Sequence, residues 1–278
     1  MTPYRADTIK KPSPSELLLR FSNDFIFKLA KSNSEKNRVY HLRHQVYCQE
    51  IGYTPLAKEL SETESDIHDN NSIHCLIEHK RSGISAGCFR LVLPAAYLLN
   101  ANPRLPLQDY GGESLNNPEL HPESLPYAEI CEISRFATAR EFRNKPINHE
   151  TLNPEKIKHS FSPEEKKVFP LLTTALFLAT HALVHLTNRR HIFAMMDPKL
   201  PRLLAMSGFK FHKIGDTIEL HGKRNAYYID NFIAEKEMHE VLRPMYQYIK
   251  QQLSSQLKES LPHDSLAHNR SKLTAHEP

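Results

Sequence analysis

Between Glu35 and Glu50 apolar residues recur at Val39, Leu42, Val46 and Tyr47, and the pattern stops before Gly52. That spacing predicts an amphipathic helix. Ile73 to His79 and Ala86 to Leu93 are two β-rich runs joined by Lys80-Arg81-Ser82-Gly83, a hairpin signal. Pro94 to Pro126 shows no periodicity and is rich in Pro, Asn and Gly; a connection of that length is usually functional or mobile. Ala128 to Thr138 reads as the next strand, and a polar stretch with Lys and Glu runs on to Lys167. Phe169 to Leu186 is apolar on all sides, broken by Pro170, Thr173, Thr174, His181 and His185, which predicts a helix buried in a core. His191 to Met196 predicts a short strand, and Pro198 to Met206 a short helix with Pro early and Gly208 stopping it. Phe209 to Leu220 and Ala226 to Phe232 read as a closing pair of strands that turns at Gly222. Met238, Val241, Leu242, Met245, Ile249, Leu253 and Leu257 then share one face of a last helix.

Strands alternating with single helices after an antiparallel hairpin predict an α/β fold, a mixed central sheet with helices on both faces. The expected organisation is a tail over 1–15, one domain over 16–233, an amphipathic helix over 234–260 and a polar, disordered tail over 261–278. A chain of 278 residues buries a substantial core without staples. Its four Cys include no close pair, which argues against a zinc ribbon, a CxxC redox motif or a disulfide framework. The formal charge of +4 is too small to argue for nucleic acid but is compatible with acidic partners. No apolar run has the length of a membrane span or the form of a secretory signal, so a cytoplasmic location is expected.

Charges stand where a core would exclude them. Arg43 and Tyr47 are four apart on one helix face, with Tyr53 beyond; Asp66-Ile-His-Asp69 precedes the hairpin; Arg90 lies between Phe89 and Leu91; Glu132-Ile-Ser-Arg135 interrupts an apolar strand. Such groups are costly unless they pair or serve a site. Taken singly, each has a plain alternative. Arg43 fits a surface helix, Asp66 and Asp69 a loop or a helix cap, Arg90 and Arg135 the ends of edge strands, and Glu132 an ion pair with Arg135. The His41/His44 and His181/His185 spacings suit a helix-borne metal pair, but no third ligand follows at recognisable spacing, and no metal is assigned. Cys131 beside the motif reads as a core residue.

Together these segments resemble, in order and spacing over roughly residues 35 to 230, the acyl-homoserine-lactone (autoinducer) synthases and the long-chain N-acyl amino acid synthases of the GNAT acyltransferase superfamily. The nearest likeness is to acyltransferases associated with PEP-CTERM/exosortase systems. Arg43, Tyr47 and Tyr53 match that family's Arg, aromatic and Trp; Asp66 and Asp69 match its D-x-x-D pair; Arg90 matches its hairpin Arg; Glu132, Ser134, Arg135 and Phe136 match its E-x-S-R-F strand. The chain has no Trp, so Tyr53 stands as a substitute, and the linker from Arg90 to Glu132 is longer than in the smallest autoinducer synthases.

The resemblance implies a GNAT fold and transfer of a long acyl chain from a thioester to an amine. Glu132 takes the role of base, with Ser134 and Arg135 beside it and backbone N–H groups near Arg135 and Phe136 facing the oxyanion. Arg43, Tyr47, Tyr53, Asp66, Asp69, Arg90 and Phe136 take substrate-binding roles, and Leu171, Leu172, Leu176 and Phe177 one wall of an acyl tunnel. The segment Lys166 to Ala175 holds no glycine of a pyrophosphate cradle. The expected donor is therefore acyl carrier protein, through its phosphopantetheine thioester, rather than coenzyme A. Arg140, Arg143, Lys145, Lys166 and Lys167 are candidate cations for docking it, and no permanently bound cofactor is expected. The acceptor is expected to be an amino acid or other small amine. An S-adenosylmethionine-dependent autoinducer synthase, an acetyl-coenzyme A enzyme and a non-catalytic GNAT-like binding module are the alternatives; the oligomeric state stays open.

Overall fold

The computed structural model describes residues 13–53, 62–94, 104–143 and 160–258. The described residues begin with helix α1 (Pro14–Asp24), capped by a Ser13/Glu16 capping box, which runs directly into strand β1 (Phe25–Leu29). The hydrophobic pattern had left both elements unassigned, and the expected tail to Ser15 overlaps the start of α1. The rest of that tail, residues 1–12, lies outside the described residues, as does the tail over 261–278. Helix α2 (Asn33–Arg43) starts with a second capping box, Ser32/Glu35, and continues as a π-helical stretch, His44–Glu50.

Strands β2 (Ser72–His79) and β3 (Ser85–Val92) form the hairpin. The supposed structureless connection after it contains helix α3 (Pro106–Gly111), with Pro at its first turn. Strand β4 (Ile130–Thr138), the short helix α4 (Pro163–Lys166) and helix α5 (Leu171–Leu186) follow. Strand β5 (His191–Met196) and helix α6 (Leu200–Ala205) come next. The closing strand pair is more broken than its pattern suggested, with β6 (His212–Lys213) and β7 (Ile218–Glu219) both short and both paired to β8 (Lys223–Asp230). Phe232 belongs to helix α7 (Asn231–Glu237), because Asp230 caps the backbone N–H groups of Phe232 and Ile233 and turns the chain. The last helix, α8 (Arg243–Lys258), starts later than the apolar stripe and buries Met245, Tyr246, Ile249 and Leu253.

Among the described residues the strands make one mixed sheet in the order β1-β2-β3-β4-β5-β8-β6, with β7 on β8. Every neighbouring pair is antiparallel except β4 and β5. α5 packs on β3 and β4 and is covered in turn by α7 and α8, so it is buried on all sides, while α2 lies on the opposite face across β2, β3 and β4. The sequence-predicted α/β architecture with helices on both faces is what the structure shows.

Two irregularities shape the centre of this sheet. β4 and β5 pair only over Ile130–Glu132 and His191–Phe193; beyond that β4 stays with β3, β5 stays with β8, and the two strands part. β4 also carries a bulge: Arg90 faces Ser134 and Cys88 faces Ala137, so Arg135 and Phe136 together oppose Phe89. Arg135 absorbs the extra residue with φ 53°, a left-handed conformation rare for a side chain of that size.

Candidate active site

The gap between the parting strands is a cleft of about 320 Å³. Glu132 to Phe136 form one wall and Ile192 with Ala194 to Asp197 the other. Tyr47, Ile51 and Tyr53 close it from the π-helical side, and Leu107 and Tyr110 from α3. Its floor comes from α5, where Phe177 alone of the four expected wall residues takes part. Phe177, Thr180 and His181, at i, i+3 and i+4, face the cleft, whereas Leu172 and Leu176 are core residues, Leu176 lying against Gly87. Leu171 does not line the cleft either.

Glu132 is the last residue of β4 paired to β5, so it stands where the two strands separate. It is 1% exposed and its Oε2 accepts the backbone N–H of Leu107 at 2.8 Å. It makes no ion pair with Arg135, whose side chain pairs instead with Glu64 and Asp66.

Behind the wall, three arginines and three carboxylates form a closed ring of alternating charge. Arg43 donates to Glu64 at 2.5 Å and to Asp69 at 2.7 Å. Arg90 donates to Asp69 at 2.8 Å and Asp66 at 2.5 Å. Arg135 donates to Asp66 and Glu64, each at 2.9 Å, which completes the circuit. Each arginine bridges two acids, each acid bridges two arginines, and the formal charges cancel. Arg43 and Arg90 are fully buried, and β3 is an interior strand, so neither the surface-helix nor the edge-strand alternative holds. Asp66 also caps the 3₁₀ turn Ile67–Asn71 in a capping box with Asp69, so these acids serve as cap and ring together.

Four contacts fix the cleft wall, three of them from the ring. Arg90 Nε donates to the Ser134 hydroxyl at 3.0 Å. The Tyr47 hydroxyl donates to the Phe136 carbonyl at 2.9 Å. The Arg135 guanidinium lies 5.7 Å and 5.6 Å from the ring centroids of Tyr47 and Tyr53, within cation–π range. Tyr47, Tyr53, Glu132, Ser134, Arg135 and Phe136 thus line the cleft; Arg43, Asp66, Asp69 and Arg90 do not, and hold its wall from behind. A substrate in this cleft would meet the former set and not the latter.

Comparison with known proteins agrees with this architecture. Residues 42–152 match the acetyltransferase (GNAT) domain family. No curated protein matches the chain in sequence. Among solved structures it is similar to BjaI, a coenzyme A-dependent acyl-homoserine lactone synthase solved with SAM and isopentyl-CoA, at TM-score 0.53 and 14% identity over 81% of this chain and 89% of that one. TofI, in a ternary complex with an inhibitor and MTA, gives 0.49 and 18% over 75% and 91%. FeeM, an N-acyl amino acid synthase from uncultured soil microbes, gives 0.47 and 10% over 79% and 97%. The likeness to BjaI shows the fold, and the match of residues 42–152 to the GNAT family makes acyltransferase the class of the chain.

Electrostatics separates the groups of this site into two kinds. Burial pushes the Glu132 carboxyl up to about 8; the Leu107 N–H and the charges of Arg90 and Arg135 pull it down, but by less. In the ring the balance is reversed. Burial raises Asp66 and Asp69, yet Arg90 on the first and Arg43 with Arg90 on the second hold both below the ordinary carboxylate range. Burial pushes the Tyr47 phenol up to about 12 and His74, beside the ring, down to about 4. Cys131 is buried in the core and its thiol is pushed up.

Sequence reasoning missed Glu64, Tyr110, the Leu107 N–H, Thr180 and His181. Glu64 stands two residues before Asp66, and the alternation was its only signal. Of the candidate docking cations, Arg140 lies just beyond β4, Arg143 pairs with Glu50, Lys166 is exposed and Lys167 pairs with Glu164 at 2.5 Å. Lys145 lies outside the described residues. His41 and His185 are engaged by the Glu62 carbonyl and Glu235, and among the described residues no group of three His, Cys, Asp or Glu is placed to hold a metal. No described helix is long and apolar enough to cross a membrane.

Proposed function

We propose that this acyltransferase moves a long acyl group from an acyl-carrier-protein thioester to the amine of an amino acid. The observation that carries the reading is Glu132, a buried carboxyl with a proton affinity near neutrality at the vertex of a largely apolar cleft. A base works best with a pKa near the operating pH.

The incoming ammonium loses its first proton to solvent, and Glu132 in its ionised form takes the second, directly or through one water, as the neutral amine attacks. The amine nitrogen forms its bond to the thioester carbon, and the carbonyl electron pair moves onto oxygen. Backbone N–H groups released from the ladder by the Arg135–Phe136 bulge hold that oxyanion. Collapse breaks the C–S bond, and the departing thiolate recovers the proton from Glu132. The parted edges of β4 and β5 offer backbone groups to the amides of a pantetheine arm, in the manner of an added strand. Tyr47, Tyr53 and Phe136 enclose the reacting end, and Phe177 lies under the acyl chain.

Support for a carrier-protein donor comes from the start of α5. The N–H groups of Leu171 and Leu172 donate to the Val168 and Phe169 carbonyls, each at 3.0 Å, and are spent before a pyrophosphate could use them. BjaI is coenzyme A-dependent, which makes acyl-CoA the donor to compare. Matched acyl-carrier-protein and acyl-CoA thioesters are offered with amino acids or S-adenosylmethionine, following thiol release and product mass. An N-acyl amino acid formed faster from the carrier protein supports the reading. Preference for CoA overturns the donor, an acylated lactone overturns the acceptor, and no transfer from either donor overturns the function.

A further inference from the structure

His181 is the polar group of the cleft floor that acyl transfer does not need. It is 1% exposed, fixed on one face by Phe209, whose ring stacks at 4.6 Å and 10°, and fixed at one edge by Asn231. The protonation of the ring follows from its neighbours. Asn231 Nδ2 donates to Glu235 at 3.0 Å and to the His181 carbonyl at 3.4 Å, so its Oδ1 is the atom 2.7 Å from His181 Nδ1. An amide oxygen only accepts, so Nδ1 carries the hydrogen. Burial holds the imidazole down at about 4, so the ring is neutral and Nε2 bears a lone pair. Nε2 has no hydrogen-bond partner among the described residues, and it is not one of the sealed core atoms, as both nitrogens of His74 are. The residue lines the cleft between Phe177, Ile192 and Ala194.

We propose that His181 makes the acyl cleft selective for chains bearing a hydroxyl group, whose hydrogen the Nε2 lone pair accepts. The proposal rests on the acyl-transfer reading above and adds the chemistry of the chain. A plain chain covers Nε2 and leaves a buried acceptor unpaired; a keto oxygen sets lone pair against lone pair; a hydroxyl alone satisfies the site. The Asn231–Glu235 relay holds the ring in this tautomer, so the acceptor is prepared before the chain arrives.

The test is equilibrium binding to the full chain, without acceptor amine, of acyl-pantetheines in which an amide replaces the thioester. The set has equal chain lengths and carries no oxygen, a keto group or a hydroxyl at successive carbons. A hydroxylated chain at one position binds roughly fivefold to tenfold more tightly than the plain chain and more tightly still than its keto counterpart, the yield of one buried hydrogen bond. His181→Asn, which keeps a donor near the Nδ1 position and lacks the acceptor, loses that preference; His181→Gln, which reaches the Nε2 position, retains most of it. Equal binding of all chains to the native protein overturns the inference alone, as does a preference that persists in a folded His181→Asn. If no chain binds, the acyl-cleft reading falls with it.

Discussion

Replacing Glu132 with Gln separates a catalytic carboxylate from a structural one, because the substitution keeps shape and removes the titration. With its carboxyl at about 8, Glu132 is ionised in about one molecule in ten at pH 7 and in about nine in ten at pH 9. The kcat/KM of the native protein is therefore expected to rise close to tenfold between those values and then level. An acceptor amine adds a rising limb of its own, but both proteins share that limb, so the ratio of the two profiles isolates Glu132. Gln is expected to lower kcat/KM by roughly 10²–10⁴, the range of a positioned base. Stability supplies a second readout of opposite sense. The folded carboxyl binds its proton up to about 8 and the unfolded one only to about 4.5, so this group's stabilising contribution is full below the unfolded value and is lost as pH rises through the folded one. Thermal unfolding of Glu132→Gln should gain on the native protein steadily from pH 5 to 8 and run parallel above it. Equal activity of the two folded proteins, or profiles that differ by a constant factor at every pH, would refute the assignment of Glu132 as the base.

Glu64→Gln opens the charge ring and leaves three arginines, two of them fully buried, facing two carboxylates. Denaturant unfolding should show a loss of about 3–5 kcal/mol, against almost none for an exposed acid such as Glu119. On the acid side Asp66 and Asp69 are held low, so their stabilisation is complete above the ordinary carboxylate range and disappears as pH falls beneath it; His74, neutral in the fold, adds loss from about 6.5 down to about 4. An acid titration followed by circular dichroism should show both, and a chain equally stable at pH 4 and 7 would contradict the ring. Tyr47→Phe removes the hydrogen bond to the bulge carbonyl, so stability should fall by about 1 kcal/mol while kcat falls further than that loss accounts for. Charge reversal at Arg140 and Lys166 should raise KM for an acyl-carrier-protein donor and leave an acyl-pantetheine donor unchanged; an equal rise for both would move the docking surface elsewhere.

The fold was legible where burial imposes a period. The largely apolar α5, the β2–β3 hairpin and the core stretch of β4 announce themselves because each buries most of its side chains. α3 and β1 did not, since five or six residues hold too little period to stand out against turn-rich or polar surroundings. The chemical residues were visible as intrusions, charges inside apolar runs, and matching their order to a known pattern located Glu132, Arg135 and the two aspartates.

What the chain's linear order determined is which residues are too costly to bury unpaired: Arg43, Arg90, Arg135, Asp66, Asp69 and Glu132. Tertiary structure alone decided how they divide. Arg135, at the bulge, pairs with Glu64 and Asp66 and not with Glu132, so that Glu64 balances the charge of the other five in a closed ring. Glu132 stands where β4 and β5 part, with one N–H and no direct cation, and burial raises its proton affinity there. Strand divergence and a one-residue insertion depend on contacts between segments distant in sequence, and local periodicity has no means of expressing them.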